Sequence, residues 1–147
     1  MLLPKEFLVV GRPASVNKSK TKAPWKNKVA DAALKVVALP PNPFAGASMV
    51  KVFWFIPAKV SYADVDNGIK PTIDGMAAII LADDRQVERV VAQRVSSASG
   101  TSLLVPLTGA EVLLNAIDRQ LGLTTGVREF ATAVKIEPYS PLGGDWW

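Results

Sequence analysis

The sequence predicts an α/β (α+β) fold, a single-domain mixed β-sheet packed with helices. Three observations carry this. A chain of 147 residues is long enough for one domain with a proper core and too short for two comfortable ones. Its apolar runs alternate between strand-like and helix-like spacing, in the order β-α-β-α-β-α-β. No internal repeat or low-complexity segment interrupts that order.

Residues 6–10 (EFLVV) read as a buried strand, stopped by Gly11 and Pro13. Arg12 to Ala23 reads as a polar loop rich in Lys and Ser. A helix then begins at Pro24, whose ring suits the first helical position. Trp25, Val29, Ala32, Ala33 and Val36 recur at helical spacing, a face made to pack on a sheet. The turn at 39–46 (LPPNPFAG) ends it. Residues 48–56 (SMVKVFWFI) are β-branched and aromatic on both faces apart from Lys51, the pattern of a central strand closed by Pro57. A second helix is predicted over about 67–80; Pro71 fits it only in the first turn, which puts the start near Asn67 or Gly68. Residues 86–95 form the next strand, and 101–105 either extend the sheet or belong to a loop. Thr108 opens a third helix, with Thr108 and Glu111 as a capping box and Gly122 as its stop. Residues 128–137 alternate, with Phe130, Thr132, Val134 and Ile136 on one face. The domain is expected over 1–140, with 141–147 as a flexible tail.

Composition removes whole classes of chemistry. Without His, neither a Ser-His-Asp or Cys-His nucleophile system nor an ordinary zinc site can be built. What remains is carboxylate, Lys, Arg, hydroxyl and water, and carboxylate ligand sets favour Mg²⁺, Mn²⁺ or Ca²⁺. Without Cys there is no disulfide framework, and the cytoplasm is the default location. No apolar run approaches the roughly 18 residues of a membrane helix, so no membrane partner is expected. Met1 to Gly11, with acidic Glu6, reads as a first strand and not as a signal peptide.

A net charge of +4 and a pI near 9.5 point to a polyanionic partner. Arg12, Lys18, Lys20, Lys22, Lys26 and Lys28 supply six of the 17 basic residues, and no acidic residue falls among them. This stretch is a phosphate-binding arm or a loop made basic for solubility. A mean hydropathy of +0.21 leaves apolar surface to bury against a second copy. The 48–56 strand, or the Thr108 helix through Val112, Leu113, Ala116 and Ile117, could supply it; the alternative is that this helix covers its own sheet.

The carboxylates are grouped. Asp64 and Asp66, two apart in extended backbone, point the same way. Asp66, Lys70 and Asp74 then follow at i, i+4 and i+8 on one helix stripe. The chain returns through Leu81 and Ala82 to bring Asp83 and Asp84 beside the first pair. Such a grouping costs electrostatic energy unless a cation neutralises it; the alternative is that these are caps and turn residues on solvated loops. An EF-hand is excluded, because its fifth and twelfth loop positions would be Gly68 and Gly75. A dehalogenase-type phosphatase needs a buried strand directly before its DxD, and residues 59–63 (KVSYA) are not one.

The string DVDN-x-x-K-x-x-x-D from Asp64 to Asp74, followed by DD-x-Q-V from Asp83 to Val87, resembles the RusA family of Holliday junction resolvases, which are crossover junction endodeoxyribonucleases. Pro13-Ala14-Ser15-Val16-Asn17 fits that family's early Pro-x-Ser-x-Asn, and the likeness spans roughly residues 6–95. The resemblance implies that Asp64, Asp66 and Asp84 hold Mg²⁺, with Mn²⁺ as a substitute, and that Lys70 assists at the scissile phosphate. Asp74 and Asp83 would support them, and Asn67 would cap the helix. It further implies a homodimer that nicks four-way DNA junctions symmetrically, in recombination and repair. Lys70 has a second, compatible role as a salt-bridge partner of Asp66 or Asp74. Two departures bear on junction selectivity: residues 96–127 are longer than the usual family connection, and Gly68-Ile69 with Pro71 alter the motif helix. The rival functions are a metal-dependent nuclease on other branched DNA or RNA, a non-catalytic nucleic-acid binder, and a DxD nucleotide-sugar transferase, for which the chain has little room.

Overall fold

The elements follow in the expected order: β1 (Lys5–Val10), α1 (Ser19–Leu34), β2 (Ser48–Ile56), α2 (Asp66–Met76), a 3₁₀ turn (Asp84–Gln86), β3 (Val87–Ser96), α3 (Glu111–Leu121) and β4 (Ala131–Pro138). This computed structural model describes residues 1–14, 19–60, 66–96 and 109–141; for Ser19 and Asp66 only the backbone is described. Residues 101–105, Thr108 and the tail from 142 onward, all assigned from the sequence, lie outside that range.

The four strands form one mixed sheet in the order β1-β4-β2-β3. β4 runs antiparallel to both neighbours, and β3 lies parallel to β2. The last strand of the chain is thus inserted beside the first, and its composition explains how it tolerates that place. Val134 and Ile136 face the α1/α2 side, while Ala131 and Ala133 face α3. The alternation read from the sequence is therefore one of large against small, and the alanines let α3 sit close to the sheet. β2 is buried along its whole length, as a central strand should be. Its Lys51 is held by Glu137 at 2.8 Å, the partner a buried ammonium requires. Burial alone would raise the Glu137 pKa, but the Lys51 hydrogen bond and the neighbouring Lys135 charge bring it below its ordinary value.

Helices cover both faces. Trp25, Val29 and Ala33 of α1 and Ile73 and Met76 of α2 pack on Val50, Val52, Trp54 and Ile56. On the other side, Leu113 and Ala116 of α3 pack on Phe53 and Phe55. This settles two alternatives. β2 has no free face for a second copy, and Leu113 and Ala116 are spent on their own sheet. Among the described residues, no helix is long and apolar enough to cross a membrane.

Helix boundaries are where the structure departs from expectation. α1 begins at Ser19, so Pro24 is its sixth residue and not its first. Pro24 cannot donate to the Lys20 carbonyl, but both residues are exposed and water can take that place. Pro71 is likewise the sixth residue of α2, beyond the first turn, because α2 starts at Asp66. α2 stops at Met76, whose carbonyl accepts from the N–H groups of Ile79, Ile80 and Leu81; residues 77–80 are a tight turn, not helix. α3 starts at Glu111 with Ala110 in the cap position and no side-chain cap, so a Thr108–Glu111 box does not begin it. Gly122 ends α3 as expected: at φ +68 its N–H reaches Asp118 O at 2.7 Å and that of Leu123 follows at 3.2 Å.

Candidate active site

The site forms where α2 passes the 3₁₀ turn that leads into β3. α2 contributes Lys70 and Asp74, one helical turn apart, and the turn contributes Asp83 and Asp84. Lys70 Nζ donates to Asp74 Oδ1 at 2.7 Å and to Asp84 Oδ2 at 2.5 Å. Lys26 of α1 approaches the other Asp74 oxygen, Oδ2, at 3.7 Å. Lys26, Asp74, Asp83 and Asp84, with Ala77 and Ala82, line an open depression of about 380 Å³. The Asp74 hydrogen bond first, and the Asp84 one second, raise the Lys70 pKa above the ordinary lysine range. Both contacts favour the charged ammonium of Lys70.

The turn that presents Asp84 is fastened on three sides. Asp83 caps it, accepting from the Arg85 N–H at 2.8 Å, while the Arg85 guanidinium grips the same carboxylate at 3.1 and 2.8 Å. The guanidinium first, and the backbone N–H second, hold the Asp83 pKa well below the usual carboxylate range. Gln86 Oε1 accepts from the Asp83 N–H at 3.0 Å, completing a capping box. Gln86 Nε2 donates to the carbonyls of Phe44 at 2.8 Å and Gly46 at 2.9 Å, tying the turn to the segment before β2. Gln86 was only a letter of the motif in the sequence, yet the Asp-x-x-Gln spacing of Asp83 and Gln86 is itself a cap signal.

Of the residues singled out from sequence, the structure brings Lys70, Asp74 and Asp84 into contact and places Asp83 beside them. Asp64 lies outside the described residues. Asp66 opens α2, and its side chain is not described. Asn67 is the second residue of α2, inside the helix, and so is not its cap. Among the described residues, no three acidic side chains gather closely enough to hold a metal ion, Asp84 being the one member of the expected triad whose side chain is described.

The basic stretch is divided. Lys18 lies outside the described residues. Lys20 and Lys28 are exposed on α1, and Lys22 is half-buried there. Lys28 Nζ lies against Gly11, and Arg12 stacks over the Phe130 ring at 5.5 Å from its centroid. Of the five that are described, Lys26 alone lines the acidic depression. Much of the stretch is helix and not loop, because Lys and Ala are good helix formers.

Residues 9–106, well over half of the chain, match the family model described as Endodeoxyribonuclease RusA. That span contains the basic stretch and all the candidate acidic site residues, and it ends before α3 and β4. No curated protein matches the chain.

Proposed function

The chain belongs to the endodeoxyribonuclease RusA family, and from that premise we propose that it is a Mg²⁺-dependent enzyme that resolves four-way DNA junctions by paired, symmetric nicks. It is an endodeoxyribonuclease acting on DNA; Holliday junction cleavage and a general dependence on metal come with the family. The finer reading is that Asp64, Asp66 and Asp84 hold the metal and Lys70 meets the scissile phosphate. One domain over 1–140 would do this as a homodimer, with 141–147 as a tail, in cytoplasmic recombination and repair.

The observation that carries this reading is the Lys70 ammonium seated between Asp74 and Asp84, two carboxylates that line an open depression. The carboxylates there draw a cation, and they are hard oxygen donors suited to Mg²⁺ or Mn²⁺. When bound, such an ion supplies Lewis-acid polarisation of phosphate and a more acidic water. The chain's own contribution is twofold. Lys70, charged at all working pH values, offsets the negative charge that builds on the phosphate in the transition state. Arg12, Lys18, Lys20, Lys22 and Lys28 would neutralise backbone phosphates flanking the junction.

The deciding experiment presents labelled four-way junction, flap, duplex and RNA hairpin to the protein, with Mg²⁺ or with EDTA. Cleavage of the junction alone, abolished by EDTA, is the expected result. Preferred cutting of flap or RNA would replace the junction reading, and cutting in EDTA would remove the metal.

A further inference from the structure

We propose that Lys26 is a positioning residue that aims Lys70 through Asp74, and not one of the phosphate-contacting lysines of its helix. The proposal rests on the reading of Lys70 as the residue at the scissile phosphate.

Among the described residues Lys70 has two carboxylate partners, Asp74 and Asp84. If Asp84 is given over to a divalent cation, the partner left to direct Lys70 among the described residues is Asp74. A carboxylate on a helix surface can rotate about its side-chain bonds, and then it directs nothing. Here the two oxygens of Asp74 are divided: Oδ1 takes Lys70 at 2.7 Å and Oδ2 faces Lys26 at 3.7 Å. The second cation therefore fixes the rotation that presents Oδ1 to Lys70. A partly exposed pair at this distance contributes little to stability. Its effect is on orientation.

The packing of α1 against α2 makes this geometry rigid. A Cβ on Gly75 would stand 2.7 Å from Val29 Cβ and 2.9 Å from the Lys26 carbonyl oxygen, so the helices touch through backbone at the residue next to Asp74. Trp25, beside Lys26, donates its indole N–H to Thr72 Oγ1 at 3.0 Å, and that hydroxyl donates to Gly68 O at 2.8 Å. Two successive residues of α1 thus meet α2, Trp25 at Thr72 and Lys26 at Asp74. Lys20 and Lys28 on the same helix are exposed and make no contact with the depression, whereas Lys26 lines it.

The test is Lys26→Met, which keeps the stem and removes the charge, with Lys26→Arg as the conservative variant and Lys26→Gln as a second neutral one. Junction cleavage is measured at saturating and limiting DNA, and junction affinity is measured in EDTA across a salt series. The expected result is a fall in kcat of roughly ten- to a hundred-fold, the scale of a sub-ångström to 1 Å misplacement, with KM, affinity and salt slope unchanged. Lys26→Arg should restore most of the rate, and Lys26→Met should add nothing in an Asp74→Asn background. Weaker junction binding with a salt slope smaller by about 0.9 would make Lys26 a phosphate contact and overturn the proposal. So would an unchanged kcat, or losses that add with Asp74→Asn. Lys70→Ala and Asp84→Asn run alongside: if either still cuts at full rate, the site reading itself fails, whereas their inactivity beside a fully active Lys26→Met removes only the role of Lys26.

Discussion

Lys70 and Asp84, fourteen residues apart in sequence, meet through Nζ and Oδ2 at 2.5 Å, and this contact joins the motif helix to the turn that leads into β3. An ammonium so placed competes with any divalent cation for Asp84. Lys70→Ala should therefore lower turnover by roughly 10²-fold or more, through loss of charge at the transition state. Divalent cation binding should survive and tighten. Steady-state junction cleavage and calorimetric titration with Mg²⁺ check both halves. A collapse of cation affinity would instead mean that Lys70 merely holds the carboxylates in place.

On the proposed reading Asp64→Asn, Asp66→Asn and Asp84→Asn should each abolish cleavage while junction binding stays intact or strengthens, since each would remove a cation ligand and a negative charge facing phosphate. Grouped carboxylates also suggest that such changes relieve repulsion and stabilise the protein. For Asp84 the contact with Lys70 reverses that expectation: its carboxylate already faces an ammonium, so Asp84→Asn should bring no gain in urea midpoint. Full cleavage by any one variant at ordinary Mg²⁺ would remove that residue from the site.

The order of elements was legible because apolar period distinguishes helix from strand without knowledge of partners. Strand order was not: nothing local tells β4 to enter between β1 and β2, and its alternation of large and small apolar residues reads equally well at an edge. Two prolines misled the placement of α1 and α2, while α3 opens at Glu111 and not at Thr108. Pro24 and Pro71 were read as first-turn residues on their missing N–H groups, whereas both sit sixth in their helices. In the site, the i, i+4 pairing of Lys70 with Asp74 follows from helix geometry. The meeting of Lys70 with Asp84 depends on the Met76–Leu81 turn and the Gln86 clamp, which are tertiary. The approach of Lys26 to Asp74 was not legible, because charge in a sequence shows sign but not the neighbour across a helix packing.

Gly75→Ala offers a sign test of that packing. Helix propensity favours alanine by about 1 kcal/mol. The added methyl, however, would meet Val29 side-chain atoms at 2.7 and 2.8 Å and the Lys26 carbonyl oxygen at 2.9 Å, where backbone cannot yield cheaply. Overpacking of this kind costs about 1–3 kcal/mol, so the net change should be destabilising in urea unfolding. A stabilised variant would show that α1 and α2 separate easily.

Replacing Lys18, Lys20 and Lys22 together by Ala should weaken junction binding and flatten its salt dependence. Each lost phosphate contact reduces the log–log slope by about 0.9. Lys20 is exposed on α1 and Lys22 is half-buried there. An unchanged slope would mean that the stretch is basic for solubility.

The enzyme should act as a two-fold symmetric dimer that makes its two nicks within one binding event. A four-way junction has two-fold symmetry, and a closed dimer with one site per subunit matches it without further adjustment. Two surfaces are excluded as the dimer contact: β2 is buried on both faces within one chain, and Leu113 and Ala116 of α3 pack on their own sheet. The contact must therefore use other surface, and the prediction does not depend on which. A cruciform plasmid separates the alternatives. Coordinated nicks linearise it, whereas a single nick relaxes the supercoil and the cruciform is reabsorbed before a second cut can follow. Early linear product, together with a dimeric mass at micromolar concentration, is the expected result. Nicked circle accumulating without early linear product, from a protein of monomeric mass, would show that each chain cuts alone.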